Sequence, residues 1–279
     1  MFTLQQQTPA RLHHLHVVSD DPARLAEFYC RQLDLEQLPG EGPTLVLAGP
    51  ERAMTISPSG QHVEPHYGYA LSHGDALERL RANLSTHNVR CTMLDDPLFE
   101  CGAFLIADPQ GRRLVFGLPV QAHAGKGVPA RLQHTVFQTT ELDRVVRFYV
   151  EKVGFTVSDE VVDDDGTVMT VFMRSDDEHH TLAFFRGSGN EWDHHCYETS
   201  EWNDIRDWGD RFAAAQVPIF FGPGRHGPGN NLFFMVTDPD GNRLEFSAEL
   251  QHVDARTPPG VWPHAERTLN SWGRAWVRT

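Results

Sequence analysis

The chain repeats itself, and the repeat restricts its architecture more than any single residue does. Arg11-Leu-His-His14 through Phe28-Tyr29 returns as Arg131-Leu-Gln-His134 through Phe148-Tyr149, at an offset of 120 residues. Pro65-His-Tyr67-Gly-Tyr69 returns as Asp193-His-His195-Cys-Tyr197 at an offset of 128. Ala107-Asp-Pro-Gln-Gly-Arg-Arg-Leu-Val115 returns as Thr237-Asp-Pro-Asp-Gly-Asn-Arg-Leu-Glu245 at an offset of 130. Two copies of one domain follow, and 279 residues suit two domains of about 120 each. The halves are expected at 1–120 and 129–250, joined by a linker from Gln121 to Pro129. Residues 251–279 form a tail with Pro258, Pro259, Trp262, Trp272 and Trp276, packed on the second half or at a subunit contact.

In the second copy the elements can be read directly. Leu132 to Phe137 reads as a strand, and Glu141 to Tyr149 as a helix ending near Gly154, with Leu142, Val145, Val146 and Tyr149 on one face. Asp193 to Tyr197 is a short strand, followed by a helical stretch from Trp202 to Ala215. Leu232 to Val236, the turn Asp238-Pro-Asp-Gly241 and a strand through Glu245 read as a hairpin with a four- or five-residue loop. Glu245 lies between Leu244 and Phe246, and a carboxylate among core residues is costly unless a metal or a partner satisfies it. A single strand histidine is usually a satisfied core or surface residue, and the chain has 16; a buried Glu could pair with one of 24 Lys and Arg residues. The joint order is more telling: His-strand-helix twice, then Asp-Pro-Asp-Gly-x-x-x-Glu.

That order, with the segment from His226-Gly-Pro-Gly to Glu245, resembles the type I extradiol ring-cleaving dioxygenases of the vicinal oxygen chelate superfamily. The resemblance implies an α+β fold of two tandem domains. Each would consist of paired βαβββ modules forming an open barrel-like sheet around a cleft. It implies a non-haem Fe(II), with Mn(II) possible, held by His134, His195 and Glu245, the two-His, one-carboxylate set that leaves positions open. His195 is preferred to His194 because the family's paired histidines use the second, and alternation then turns His194 and Cys196 to the other face. The first copy offers His14, Tyr67 and Val115 at these positions, so only the second is expected to carry metal.

The implied reaction inserts O₂ into the ring of a catechol-like aromatic substrate, next to the diol. His180 in His179-His180-Thr-Leu-Ala-Phe184 resembles the family's acid–base histidine, with His179 the fallback, since a neutral imidazole can take and return a proton. His226, in the glycine-rich loop Gly222-Pro-Gly-Arg-His226-Gly, matches a histidine that touches substrate or ligands. The family's tyrosine ten residues before the ligand Glu is replaced by Met235, which has no proton to donate. Tyr197 is the nearest candidate for a replacement hydroxyl. Phe184, Phe233 and Met173 suit an apolar pocket. Two other classes fit the same residues: a metal-dependent lyase, isomerase or hydrolase that does not use O₂, and a non-catalytic small-molecule binding protein.

A net charge of −14 argues against nucleic acid or an anionic membrane surface as partner. No targeting segment or long apolar run is evident, and Cys30, Cys91, Cys101 and Cys196 form no paired motif. A cytoplasmic protein with reduced thiols, assembled as a homo-oligomer, is the expectation.

Overall fold

The computed structural model describes residues 8–61, 63–120 and 127–275. Residues 121–126 of the expected linker, and Trp276, lie outside them. The first half runs β1 (Ala10–Ser19), α1 (Pro22–Leu33), β2 (Glu36–Leu38), β3 (Leu45–Gly49) and β4 (Arg52–Pro58). It continues as β5 (His66–Leu71), α2 (Gly74–Thr86), β6 (Thr92–Met93), β7 (Phe104–Ala107) and β8 (Arg113–Gly117). The second half repeats this with β9 (Arg131–Thr139), α3 (Leu142–Phe148), β10 (Thr156–Val162), β11 (Val168–Arg174) and β12 (Leu182–Arg186). Then come β13 (Trp192–Thr199), α4 (Trp202–Ala214), β14 (Phe221–Arg225), β15 (Leu232–Thr237) and β16 (Arg243–Ala248). The tail supplies β17 (Gly260–Pro263) and α5 (Glu266–Leu269).

Each half is therefore two βαβββ units in one mixed sheet. The first sheet is ordered β2-β3-β4-β1-β5-β8-β7-β6. The second, read from the opposite edge, is β17-β10-β11-β12-β9-β13-β16-β15-β14. The order is the same apart from β17, which joins β10 in parallel. In both, the central antiparallel pair (β1 with β5, β9 with β13) joins the two units.

Local chemistry explains the boundaries. Asp21 caps α1 by accepting from the Arg24 N–H at 3.1 Å, and α1 has proline in its first turn. Glu201 and Asp204 form a reciprocal capping box on α4. Helix α3 continues as a π-helical turn, Tyr149–Val153, and stops at Gly154 with φ 92°, where the sequence predicts its end. The Asp-Pro-x-Gly turns are held from within. Asp238 Oδ1 accepts from the Asp240 and Asn242 N–H groups, and Asp108 Oδ1 from those of Gln110 and Arg112.

One apolar core runs through both halves. The repeat also shows at their contact: Tyr29 donates to Asp238 Oδ2 at 3.1 Å, and its counterpart Tyr149 donates to Asp108 Oδ2 at 3.5 Å. The tail packs on the second half, where Trp262 Nε1 donates to Asp159 Oδ2 at 2.6 Å and Trp272 meets Trp202. Among the described residues no helix is long and apolar enough to cross a membrane.

Candidate metal centre and its cavity

Strand register decides which side chains share a face. Cys196 of β13 pairs with His134 of β9 on one side and with Glu245 of β16 on the other. Directly paired residues point to the same face, so His134, Cys196 and Glu245 stand in a row. Two residues along β13, the same face carries His194, not His195.

The distances agree. His194 Nε2 is 3.1 Å from Glu245 Oε2, His134 Nε2 is 3.8 Å from that oxygen, and His226 Nε2 is 3.6 Å from Oε1. The other nitrogens of the two strand histidines are already engaged. His134 Nδ1 lies 2.5 Å from Gln133 Oε1, and His194 Nδ1 lies 2.6 Å from Asp193 Oδ1. Both acceptors call for a proton on Nδ1, so each Nε2 either donates to the carboxylate or, once deprotonated, offers its lone pair to an ion beside it. Asn231 Nδ2 donates to Glu245 Oε1 at 3.3 Å and to Ser247 Oγ at 2.8 Å, fixing the carboxylate plane.

Charge is arranged to match. Burial alone would raise the Glu245 pKa, but His134, His194 and His226 hold it well below the usual carboxylate range. Burial opposes charge on His194, and its bonds to Asp193 and Glu245 outweigh that and raise its value. Burial pushes His134 down, and His180 much further. Cys196 also offers a ligand atom beside His134 and Glu245, but burial holds its thiol well above its ordinary pKa and so protonated. The set of two imidazoles and one carboxylate fits a divalent ion held by His134, His194 and Glu245.

These groups form the polar end of a cavity of about 810 Å³, counting its open mouth. Val136, Phe172, Ala183, Phe185 and Met235 supply apolar wall, and His264, Ala265, Thr268 and Leu269 of the tail also line it. His180 lines the cavity with its ring 4.4 Å from that of His134. His179 turns away to Asp159, at 3.0 Å, so geometry favours His180 over its neighbour. The His226 ring stacks on Phe233 at 3.7 Å, and its Nδ1 is 2.5 Å from the Leu269 carbonyl oxygen.

Two expected site residues are elsewhere. His195 lies on the opposite face, stacked on Trp192 and 3.4 Å from the Tyr29 hydroxyl of the first half, where burial pushes its pKa down to about 3. Tyr197 shares that face and stacks on Phe246, so its hydroxyl does not replace the one missing at Met235. Of the expected pocket residues, Phe184 points the same way and packs on Phe137. Gln133, Asp193 and Asn231 were missed. A polar residue immediately before each cavity-facing histidine was the available signal for the first two.

Residues 131–246 match the Glyoxalase/Bleomycin resistance protein/Dioxygenase superfamily. The match covers most of the second half of the chain. Metapyrocatechase 2 of Cupriavidus necator is 29% identical over 181 residues, 63% of this chain and 54% of that protein. The chain thus spans about half the length of that relative. Homoprotocatechuate 2,3-dioxygenase of Brevibacterium fuscum, in its complex with 3,4-dihydroxyphenylacetate, superposes with a TM-score of 0.82 at 23% identity, over 98% of this chain and 92% of its own. The Mn(II)-bound glyoxalase of Novosphingobium aromaticivorans superposes with a TM-score of 0.80 at 22% identity, over 96% and 91%. The fold of these two structures therefore extends over both halves, as two tandem modules.

Proposed function

We propose that the protein is an Fe(II)-dependent extradiol dioxygenase, with Mn(II) the alternative ion, acting on a catechol that bears an apolar substituent. The observation that carries this reading is the convergence of His134, His194 and Glu245 at the polar end of an apolar cavity that also holds His180 and His226. A bound Fe(II) supplies positions for both diol oxygens and for O₂, and a path for electrons between them.

The chain's own groups do the rest. His180, kept neutral by burial, accepts a proton from the substrate hydroxyl and returns it during ring opening. His226, its Nδ1 proton tied to Leu269, turns Nε2 toward Glu245 and the bound diol. Val136, Phe172 and Phe185 face the ring and limit water around it. Arg186 also lines the cavity, but its guanidinium is engaged by the Val168 carbonyl and by Asp143, which favours an uncharged substituent.

The test is oxygen uptake by protein loaded anaerobically with Fe(II), against catechols with apolar and with carboxylate substituents. One O₂ consumed per ring opened, with the apolar set preferred, is expected. Absence of uptake with either iron or manganese would overturn the reading. A lyase, isomerase or hydrolase that does not use O₂ would replace it, the reading that Met235 in place of tyrosine favours.

A further inference from the structure

The first half holds a second buried cluster of ligand type. His14 of β1 pairs with Gly68 of β5, and Gly68 pairs with Val115 of β8, the same row that carries His134, Cys196 and Glu245 in the second half. Two residues before Gly68 on the same face is His66, the counterpart of His194. The sequence comparison took Tyr67 for this position, but Tyr67 faces the other way, against Phe137 and Trp192 of the second half. Val115 replaces Glu245, and it is fully buried beside Phe99 and Ala103.

The missing carboxylate comes from elsewhere. Asp96 lies at the offset of 130 that relates β7 to β15, which makes it the counterpart of His226. His14 Nε2 and His66 Nε2 lie 3.2 and 3.3 Å from Asp96 Oδ2, and all three residues are buried. With metal–ligand bonds near 2.1 Å, two ligand atoms sit about 3.0 Å apart at a right angle and about 3.4 Å apart at a tetrahedral one. Both distances to Asp96 fall between those limits.

The supports are repeated as well. His13, at the position of Gln133, places Nδ1 3.0 Å from His14 Nδ1 and orients that ring. The His66 ring stacks on His16 at 4.6 Å with 4° between planes. Asp96 Oδ1 is held by the Leu98 N–H at 2.9 Å. Glycine at 68 gives the His14 ring its room, since a Cβ there would lie 2.2 Å from His14 Cε1.

We propose that His14, His66 and Asp96 bind a divalent transition ion, so that the chain carries two metal sites rather than one. Two imidazoles and one carboxylate suit zinc, cobalt, iron or manganese. Phe99 covers His14 at 4.7 Å between ring centres, which leaves the site closed on that side. The role is structural: the ion ties β1 and β5 to the segment ahead of β7.

The test uses the full chain, stripped of metal and dialysed to saturation against Co(II), with bound cobalt counted and its ligand-field absorption recorded. The wild type should bind two ions per chain, Asp96→Asn one, His194→Gln one, and the double variant none. Cobalt retained by Asp96→Asn at the second-half site shows that this variant is folded, and His66→Gln should reproduce its stoichiometry. One ion in the wild type and none in His194→Gln would overturn the proposal in favour of a metal-free hydrogen-bonded cluster. Two ions retained by Asp96→Asn and His66→Gln would overturn the ligand assignment. Either failure leaves the second-half reading intact, because His194→Gln reports on that site alone.

Discussion

Glu245 is buried as a charged group, and the three imidazoles around it are the compensation that such burial demands. Cys196 stands in the same row and tests whether position or protonation selects the ligands. Its thiol is held protonated by burial, so Cys196→Ala should keep full metal content by elemental analysis, whereas Glu245→Ala should lose nearly all of it. In the proposed reading His180 touches substrate rather than metal, so His180→Phe should keep the metal and turn over at least about a hundredfold more slowly. A second carboxylate nearby shows the opposite electrostatics. Partial burial pushes Glu198 up from 4.5 to about 7. A carboxyl with a raised folded-state value binds its proton more tightly when folded, so stability falls as pH rises from about 4.5 through 7. Glu198→Gln should therefore match the wild type in urea unfolding near pH 4.5 and exceed it by roughly 1–2 kcal/mol at pH 8. Of the residues at the centre, His134, His180, His226 and Glu245 were legible in sequence, each inside a recognisable motif. The choice between His194 and His195 was not. Alternation says that neighbours face opposite ways, and only a cross-strand partner says which way is inward.

The β15–β16 hairpin was the most legible element, because its apolar run, its Asp-Pro-Asp-Gly turn and its length all agree. Its register sets Met235 directly across from Glu245, on the cavity wall. Met235→Tyr should therefore fold, since the two side chains have similar reach. Oxygen uptake on simple and on bulkier catechols then separates two roles. Faster opening of simple catechols would mark a lost hydrogen-bond donor worth about 1–3 kcal/mol, and loss on bulky ones a thioether that packs against the substrate. Less of β14 was readable. Gly222 to Arg225 suggested a glycine-rich loop, and the structure makes Phe221–Arg225 an edge strand with a register shift, a position that tolerates glycine and proline. The two-residue β6 and the π-helical turn after α3 leave no periodic trace, because each spans only about one period.

At the scale of the molecule, the repeat sets the architecture, and the two halves differ in which residue type stands on strand and on loop. Glu245 on a strand and His226 on a loop stand where the first half has Val115 on a strand and Asp96 on a loop. That difference could not be read from the ligand positions alone, since Val115 opposite Glu245 looks like the loss of a ligand. Packing the halves together gives the paired histidines of β13 different surroundings: His194 faces the cavity, and His195 faces Tyr29 across the contact between modules. The proposed chemistry in the cavity requires the first and not the second. The decisive measurement is metal content and catechol-dependent oxygen uptake in His194→Gln and His195→Gln, each loaded anaerobically with Fe(II). His195→Gln should retain about one iron in the second half and most of the uptake, while His194→Gln should lose both. The reverse pattern would contradict the account.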